Sequence, residues 1–387
     1  MIAQDKTKLE NQFLIEEAHS LHDAKFISKE QLKEIETRLN YTKANTNIFL
    51  RFGFAVLGIF LYASICGFIS LLSMNIIDHN FEAFIFIYAA MGFAGTEFLI
   101  HQNNTEKGLD DVFLIGGQLL FAVAIGVATE ANELSIAITA TLISFFSYLR
   151  YVKLVSVLIF CIASTATVAF GLFELGSIGK TILPFVLMIY ALGIYFLTKK
   201  GTQKVQFLFY HKGILFLKNF CLLLFYCSGN YLVVRKLSEV LLETEIPANL
   251  DIPFAWFFYT FTVIVPLFYI FYALKMQERI MLWIGFISLG FTFYTIRYYH
   301  QILPIEIALI LGGLLLFAIA YFSIKKLKDR TTGITFQPDR FINSSDFINT
   351  EALILTSQFG LKPETTVESP MEFGGGDFSG GGSSGGF

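Results

Sequence analysis

Long apolar runs alternate with short polar gaps along almost the whole chain. A helix needs about 20 mostly apolar residues to cross the hydrocarbon core of a bilayer. Runs of that kind lie near Ile48–Leu72, Phe81–Ile100, Val112–Ala128, Leu134–Leu149, Leu154–Phe173, Ile182–Leu197, Ile214–Val234, Pro253–Leu274, Ile280–Ile296 and Ile305–Ile324. None shows the strict polar/apolar alternation of a barrel strand, and backbone polar groups in lipid must be satisfied internally, so the runs predict helices. The tightest connections fall at Glu130–Glu133 and Arg150–Lys153. The pattern predicts an all-α integral membrane protein of about ten transmembrane helices. Residues 1–47 form a helical hairpin, 48–324 the ten-helix bundle, 325–362 a basic anchor with one short helix, and 363–387 a flexible Gly-rich C-terminal tail.

Composition agrees with that class. The 387 residues are 55% hydrophobic and 15% charged, with 44 Phe and a mean hydropathy of +0.61, unlike a soluble domain. The gaps orient the bundle, because cytoplasmic loops gather Lys and Arg. The N-terminal segment, alternate gaps and the C-terminal segment hold 22 of the 28 Lys and Arg residues. The opposite gaps hold only Lys180, Arg235, Lys236 and Arg297. Lys212 and Lys218 open the seventh run, where long stems snorkel to the interface. Both termini are therefore expected in the cytoplasm, with the bundle in the cytoplasmic (inner) membrane. The net charge of −3 says nothing about partners, since charge is segregated by side, and no basic face interleaved with aromatics suggests nucleic acid. With the first apolar run starting about 48 residues in, behind a charged helical region, no cleavable signal peptide is expected and the first span serves as anchor.

Before the membrane, Lys8–Asp23 carries Leu14, Ala18 and Leu21 at helical spacing. A second helix opens at Ser28-x-x-Gln31, a capping box flanked by Ile27 and Leu32 in the staple positions. Two such short helices bury little alone and are expected to cap the bundle. The segment "AHSLHDAKFISKEQLKEIETRL", with the polar linker and the Gly-punctuated "FGFAVLGIFLY" after it, resembles the bacterial membrane proteins grouped as domain of unknown function 2157. The resemblance covers about the first quarter of the chain. It implies a multi-pass membrane protein and no activity.

At the other end, Lys325–Arg330 is a basic stop and Thr350–Phe359, followed by Gly360, reads as one short helix. From Pro363 onward there is no Lys or Arg, and the chain ends "FGGGDFSGGGSSGGF". That composition predicts a flexible tether, with Phe373, Phe378 and Phe387 as its candidate contacts for a partner.

Candidate chemistry is sparse. Charges inside spans are costly and tend to line a cavity or pathway. Glu97 lies about a turn inside its span beside Gly92 and Gly95, Gln118 enters the next span, and Asp110 and Asp111 sit at its mouth. These four form a candidate polar pocket; Glu97 alternatively snorkels or caps a neighbouring helix. Glu130, Glu133, Glu174 and Glu306 mark outer span ends. His101, His211 and His300 are isolated at span ends, and His19-x-x-His22 reads as a solvated stripe. Gly116–Gly117 and Gly312–Gly313 look like helix-packing notches. The four cysteines lie inside spans and make no ligand cluster. No HExxH, Walker loop or GxSxG is present, so no enzyme, cofactor or metal is expected. Two functions stay open: a non-enzymatic membrane scaffold or sensor that engages other proteins through the hairpin and tail, or a transporter or channel-like protein of two five-span halves.

Overall fold

The computed structural model describes residues 2–23, 26–39, 48–74, 81–102, 108–201, 209–242, 251–276 and 278–299, with a few scattered positions beyond. The chain divides into two units, Met1–Asn343 and Ser344–Phe387. The second lies outside the described residues, and with it the short helix expected at Thr350–Phe359 and the aromatic contacts Phe373, Phe378 and Phe387. Of the expected tenth span, only Ile307, Ile310, Gly313, Leu314, Phe317, Tyr321 and Phe322 are described, all of them helical.

Among the described residues every regular element is helical. The helices are α1 (Lys6–Asp23), α2 (Lys29–Arg38), α3 (Ile48–Leu72), α4 (Phe81–His101), α5 (Leu109–Ala128), α6 (Glu133–Tyr151), α7 (Leu154–Phe173), α8 (Gly176–Gly201), α9 (His211–Gly229), α10 (Tyr231–Leu242), α11 (Ala255–Met276) and α12 (Arg279–Tyr299). Nine of them, α3 to α9 with α11 and α12, are long and apolar enough to cross a membrane. Their short connections make neighbours antiparallel, and α4 packs on α5, α6 on α7, α8 on α9, and α11 on α12. The two halves of the bundle join where α7 meets α8 and α9. Helix α3 sits at the edge against α5 and turns Phe52, Phe60 and Phe68 outward, as a lipid-facing surface requires.

Packing is closest where α4 crosses α5. A Cβ at Gly92 would lie 2.6 Å from the Gly117 Cα and 2.8 Å from the Phe113 carbonyl oxygen, so the two backbones touch. Gly116 meets the Tyr62 ring, completing the expected notch on α5; of the second expected notch Gly312 lies outside the described residues, and Gly313 has nothing within 4 Å among them.

The N-terminal hairpin follows from local chemistry. The Gln31 N–H donates to Ser28 Oγ at 3.3 Å and the Ser28 N–H to Gln31 Oε1 at 2.8 Å, closing the capping box. His19 reaches Glu36 of α2 at 3.0 Å, tying the two helices together on a face that stays half exposed to solvent. One expected position is corrected: Ala18 is buried as expected, but Leu14 is 49% exposed and Ile15 is buried in its place. The inner face is chosen by what the helix docks on. The Ala3 N–H donates to the Arg150 carbonyl at 2.8 Å, Phe13 meets His211 edge-on at 6.3 Å, and Glu16 pairs with Lys212 at 2.6 Å. His211 is therefore not isolated, and this end of the bundle is the hairpin end. Lys218 is also corrected: it does not snorkel but is buried, and pairs with Glu278 at 3.1 Å.

The largest departure is in the seventh span, expected to run unbroken over Ile214–Val234. Helix α9 stops at Gly229, Asn230 is extended at φ −72° and ψ 127°, and α10 begins at Tyr231. Hydropathy runs the two together because Tyr231–Val234 is as apolar as what precedes it. The Asn230 side-chain oxygen, however, accepts from the Leu232 N–H at 3.0 Å and the Val233 N–H at 3.3 Å. That is an N-cap, and it starts a new helix.

Candidate functional site

At the hairpin end, three of the four expected polar residues converge on one turn. The α6–α7 connection is only Val152–Lys153, and Val152 takes the left-handed conformation at φ 55° and ψ 35°, an uncommon state for a β-branched residue. This reversal sends Arg150 and Tyr151 toward α4 and Lys153 toward α5. Arg150 pairs with Glu97, and the Tyr151 hydroxyl donates to the same Glu97 Oε1 at 2.9 Å. Lys153 Nζ lies 2.5 Å from Asp110 Oδ2 and 3.4 Å from Asp111 Oδ1. Asp111 also faces Arg51 of α3 at 3.5 Å.

Sequence dictates where the two aspartates stand. Gly108 precedes α5 at φ +94°, and a Cβ there would lie 2.6 Å from the Arg51 carbonyl oxygen, so only glycine fits. Asp110 and Asp111 then fall in the first turn of α5, where the helix dipole favours negative charge. Asp110 is fully buried and the Lys153 side chain 11% exposed, whereas Glu97 and Arg150 keep 38% and 51% of theirs in the open. The first pair is an interior contact and the second a rim contact.

Gln118 does not join this turn. It sits eight residues beyond Asp110, roughly 12 Å along α5, and its Nε2 donates to Ser156 Oγ of α7 at 2.8 Å, with both side chains buried. The expected pocket is thus two separate features: a charge cluster around the α6–α7 turn, and a buried amide–hydroxyl contact deeper between α5 and α7. Beside the cluster, α1 and the ends of α6, α7 and α9 enclose a small cleft of about 100 Å³, lined by Gln12, Phe13, Glu16, Tyr148, Lys153 and Lys212 among others. The basic turn therefore faces the acidic mouth of α5 on one side and the docked hairpin on the other.

A second polar region, at the far end, was not singled out in the sequence. Asn230 Nδ2 donates to Tyr226 Oη at 3.0 Å and to Thr295 Oγ1 at 3.2 Å, and the Tyr231 N–H donates to Thr262 Oγ1 at 3.0 Å. Tyr226 in turn donates to the Ser288 carbonyl at 2.9 Å. Helices α9, α10, α11 and α12 are knotted here. Beyond the knot, Arg235 donates to Tyr231 Oη at 2.9 Å, and Tyr231 donates to Asp251 Oδ1 at 2.7 Å. Burial, with Tyr259 and Asp251 adding to it, pushes the Tyr231 phenol above its ordinary range, so it stays the neutral donor this relay needs. The available signal was local: Gly229-Asn230 inside an apolar run is a helix stop followed by a cap.

Among the described residues, nine helices long and apolar enough to cross a bilayer define the class, a multi-pass helical membrane protein. The chain matches no family model, no curated protein and no solved structure.

Proposed function

We propose that this protein is a non-enzymatic membrane scaffold or sensor of the bacterial cytoplasmic membrane, engaging other proteins through its N-terminal hairpin and Gly-rich tail. One observation carries the reading: the N-terminal segment bonds to the end of α6 beside the turn that closes the charge cluster, through the Ala3–Arg150 backbone bond, and the hairpin also pairs with α9 through Glu16 and Lys212. A partner held by the exposed face of α2 is thereby linked, through α1 and the N-terminal segment, to the end of the bundle that carries the ion pairs. The likeness of the first quarter to domain of unknown function 2157 belongs to this reading and adds no activity to it.

Copurification from native membranes tests it. Reversing the exposed charges Lys33→Glu and Glu34→Lys, or truncating after Pro370, should reduce the recovery of bound proteins severalfold while the bundle stays folded. Identical partners with all forms would rule the scaffold out. A transporter of two five-span halves is the second reading, favoured by the interruption of α9–α10 at Asn230, since broken helices line substrate sites in such proteins. Solute flux into proteoliposomes of the purified protein would decide for it.

The distribution of Lys and Arg supports placing the hairpin end in the cytoplasm. In a variant lacking the native cysteines, a single cysteine at Asn75, Asn132 or Glu243 should react with an impermeant maleimide in intact cells, while one at Gln102 or Gln203 stays protected. Equal labelling of both groups would overturn this orientation.

A further inference from the structure

The four cations of the far-end gaps are the exceptions to the charge asymmetry of this chain, and each lies on or contacts α10 or the end of α12 against which α10 sets its cations. Lys180 of α8 donates to the Leu241 carbonyl of α10 at 2.9 Å. Arg235 and Lys236 belong to α10, and Arg297 to the last turn of α12, beside Tyr298 and Tyr299. The Arg235 guanidinium lies 4.8 Å over the Tyr299 ring and Lys236 Nζ 5.8 Å over the Tyr298 ring. Glu239 answers Arg235 at 3.6 Å and Lys236 at 2.7 Å, so one carboxylate is shared by two cations.

Two of the four open outward: the Lys236 side chain is half exposed, and Arg297 is exposed. Below them a row of rings descends α12, from the outward Tyr298 and Tyr294 to Phe291, which is partly buried against the core. Tyr298 and Tyr294 are 6.1 Å apart, and Tyr294 stacks on Phe291 at 5.9 Å; both tyrosines are half-exposed. Cations at headgroup level above an aromatic strip form the pattern by which amphipathic interfacial helices and aromatic belts meet lipid. Charge complementarity fixes the kind of lipid, because basic groups at an interface draw anionic headgroups.

We propose that α10 and the last turn of α12 form a seat for one anionic phospholipid. Its phosphate lies against Lys236 and Arg297, and its acyl chain lies along Tyr298, Tyr294 and Phe291. Arg235, buried against Tyr299, holds the platform in place.

Native mass spectrometry of the full-length protein, equilibrated in detergent with phosphatidylglycerol or phosphatidylcholine, reads the seat directly. The wild-type protein should retain phosphatidylglycerol about tenfold over phosphatidylcholine. The double variant Lys236→Gln/Arg297→Gln should lose that preference, while the charge-keeping Lys236→Arg/Arg297→Lys pair and a hairpin-end control, Lys200→Gln, retain it. Equal retention of the two lipids by the wild-type protein overturns the proposal without recourse to any variant. A preference unchanged in the double variant places the lipid elsewhere and overturns it as well. Full displacement of phosphatidylglycerol by equimolar inorganic phosphate would make the patch a soluble-anion site and not a lipid seat.

Discussion

Replacing Asp110 by alanine is expected to destabilise the folded bundle by about 3 kcal/mol, the scale on which a half-removed interior ion pair falls. Asp110 has no solvent exposure, and Lys153, opposite it at 2.5 Å, has little. Removing the carboxylate leaves the ammonium with Asp111 at 3.4 Å and almost no water. Removing both charges at once, as Asp110→Leu with Lys153→Met, should recover much of the loss, because two apolar side chains need no compensation. The rim pair behaves differently. Glu97→Gln breaks a contact whose members stand in the open and should cost less than about 1 kcal/mol. Unfolding of the purified protein in mixed micelles, with Asp110→Ala and Glu97→Gln measured side by side, checks the contrast. Equal effects would mean that the α6–α7 turn is not anchored through Lys153.

Asn230→Ala should be comparably severe. The substitution removes an N-cap, worth about 1 kcal/mol, and leaves buried partners in Tyr226 and Thr295 without the amide, at about 1–3 kcal/mol. A total of about 2–4 kcal/mol is expected in the same unfolding measurement. Thr295→Val removes one spoke of the knot and should cost roughly a third of that. Helix α10 should also loosen, which hydrogen exchange at the Leu232 and Val233 amides would register as faster exchange than in the wild-type protein. Unchanged exchange at those amides would show that contacts with α8 and α11, and not the Asn230 side chain, hold the second helix in place.

These two sites differ in how far they could be read from sequence. The spans were legible because bilayer thickness imposes a length and because apolar runs are counted without knowing any neighbour. The capping box at Ser28 was legible for a similar reason, since donor and acceptor are three residues apart. Asp110 and Glu97 were visible as charges out of place, but their partners stand 43 and 53 residues away, and only the packing of α4 and α5 against the α6–α7 turn brings them together. Asn230 escaped notice because hydropathy sums side chains and takes no account of one that bonds to its own backbone. The choice between Leu14 and Ile15 on α1 was beyond the helical period as well, since both fit an amphipathic stripe and the docked surface selects one.

The contact of Gly92 with Gly117 has a mechanical consequence. Backbones already touching cannot approach further, so any relative motion of α4 and α5 that keeps this contact is a rotation about it. The crossing lies near the middle of α4, which makes it a fulcrum with an arm of roughly 15 Å on either side. A tilt of about 4° displaces each arm's tip by about 1 Å, in opposite directions at the two membrane surfaces. A tilt of α4 imposed at Glu97 from the hairpin end would be returned, inverted, at the helix's other end.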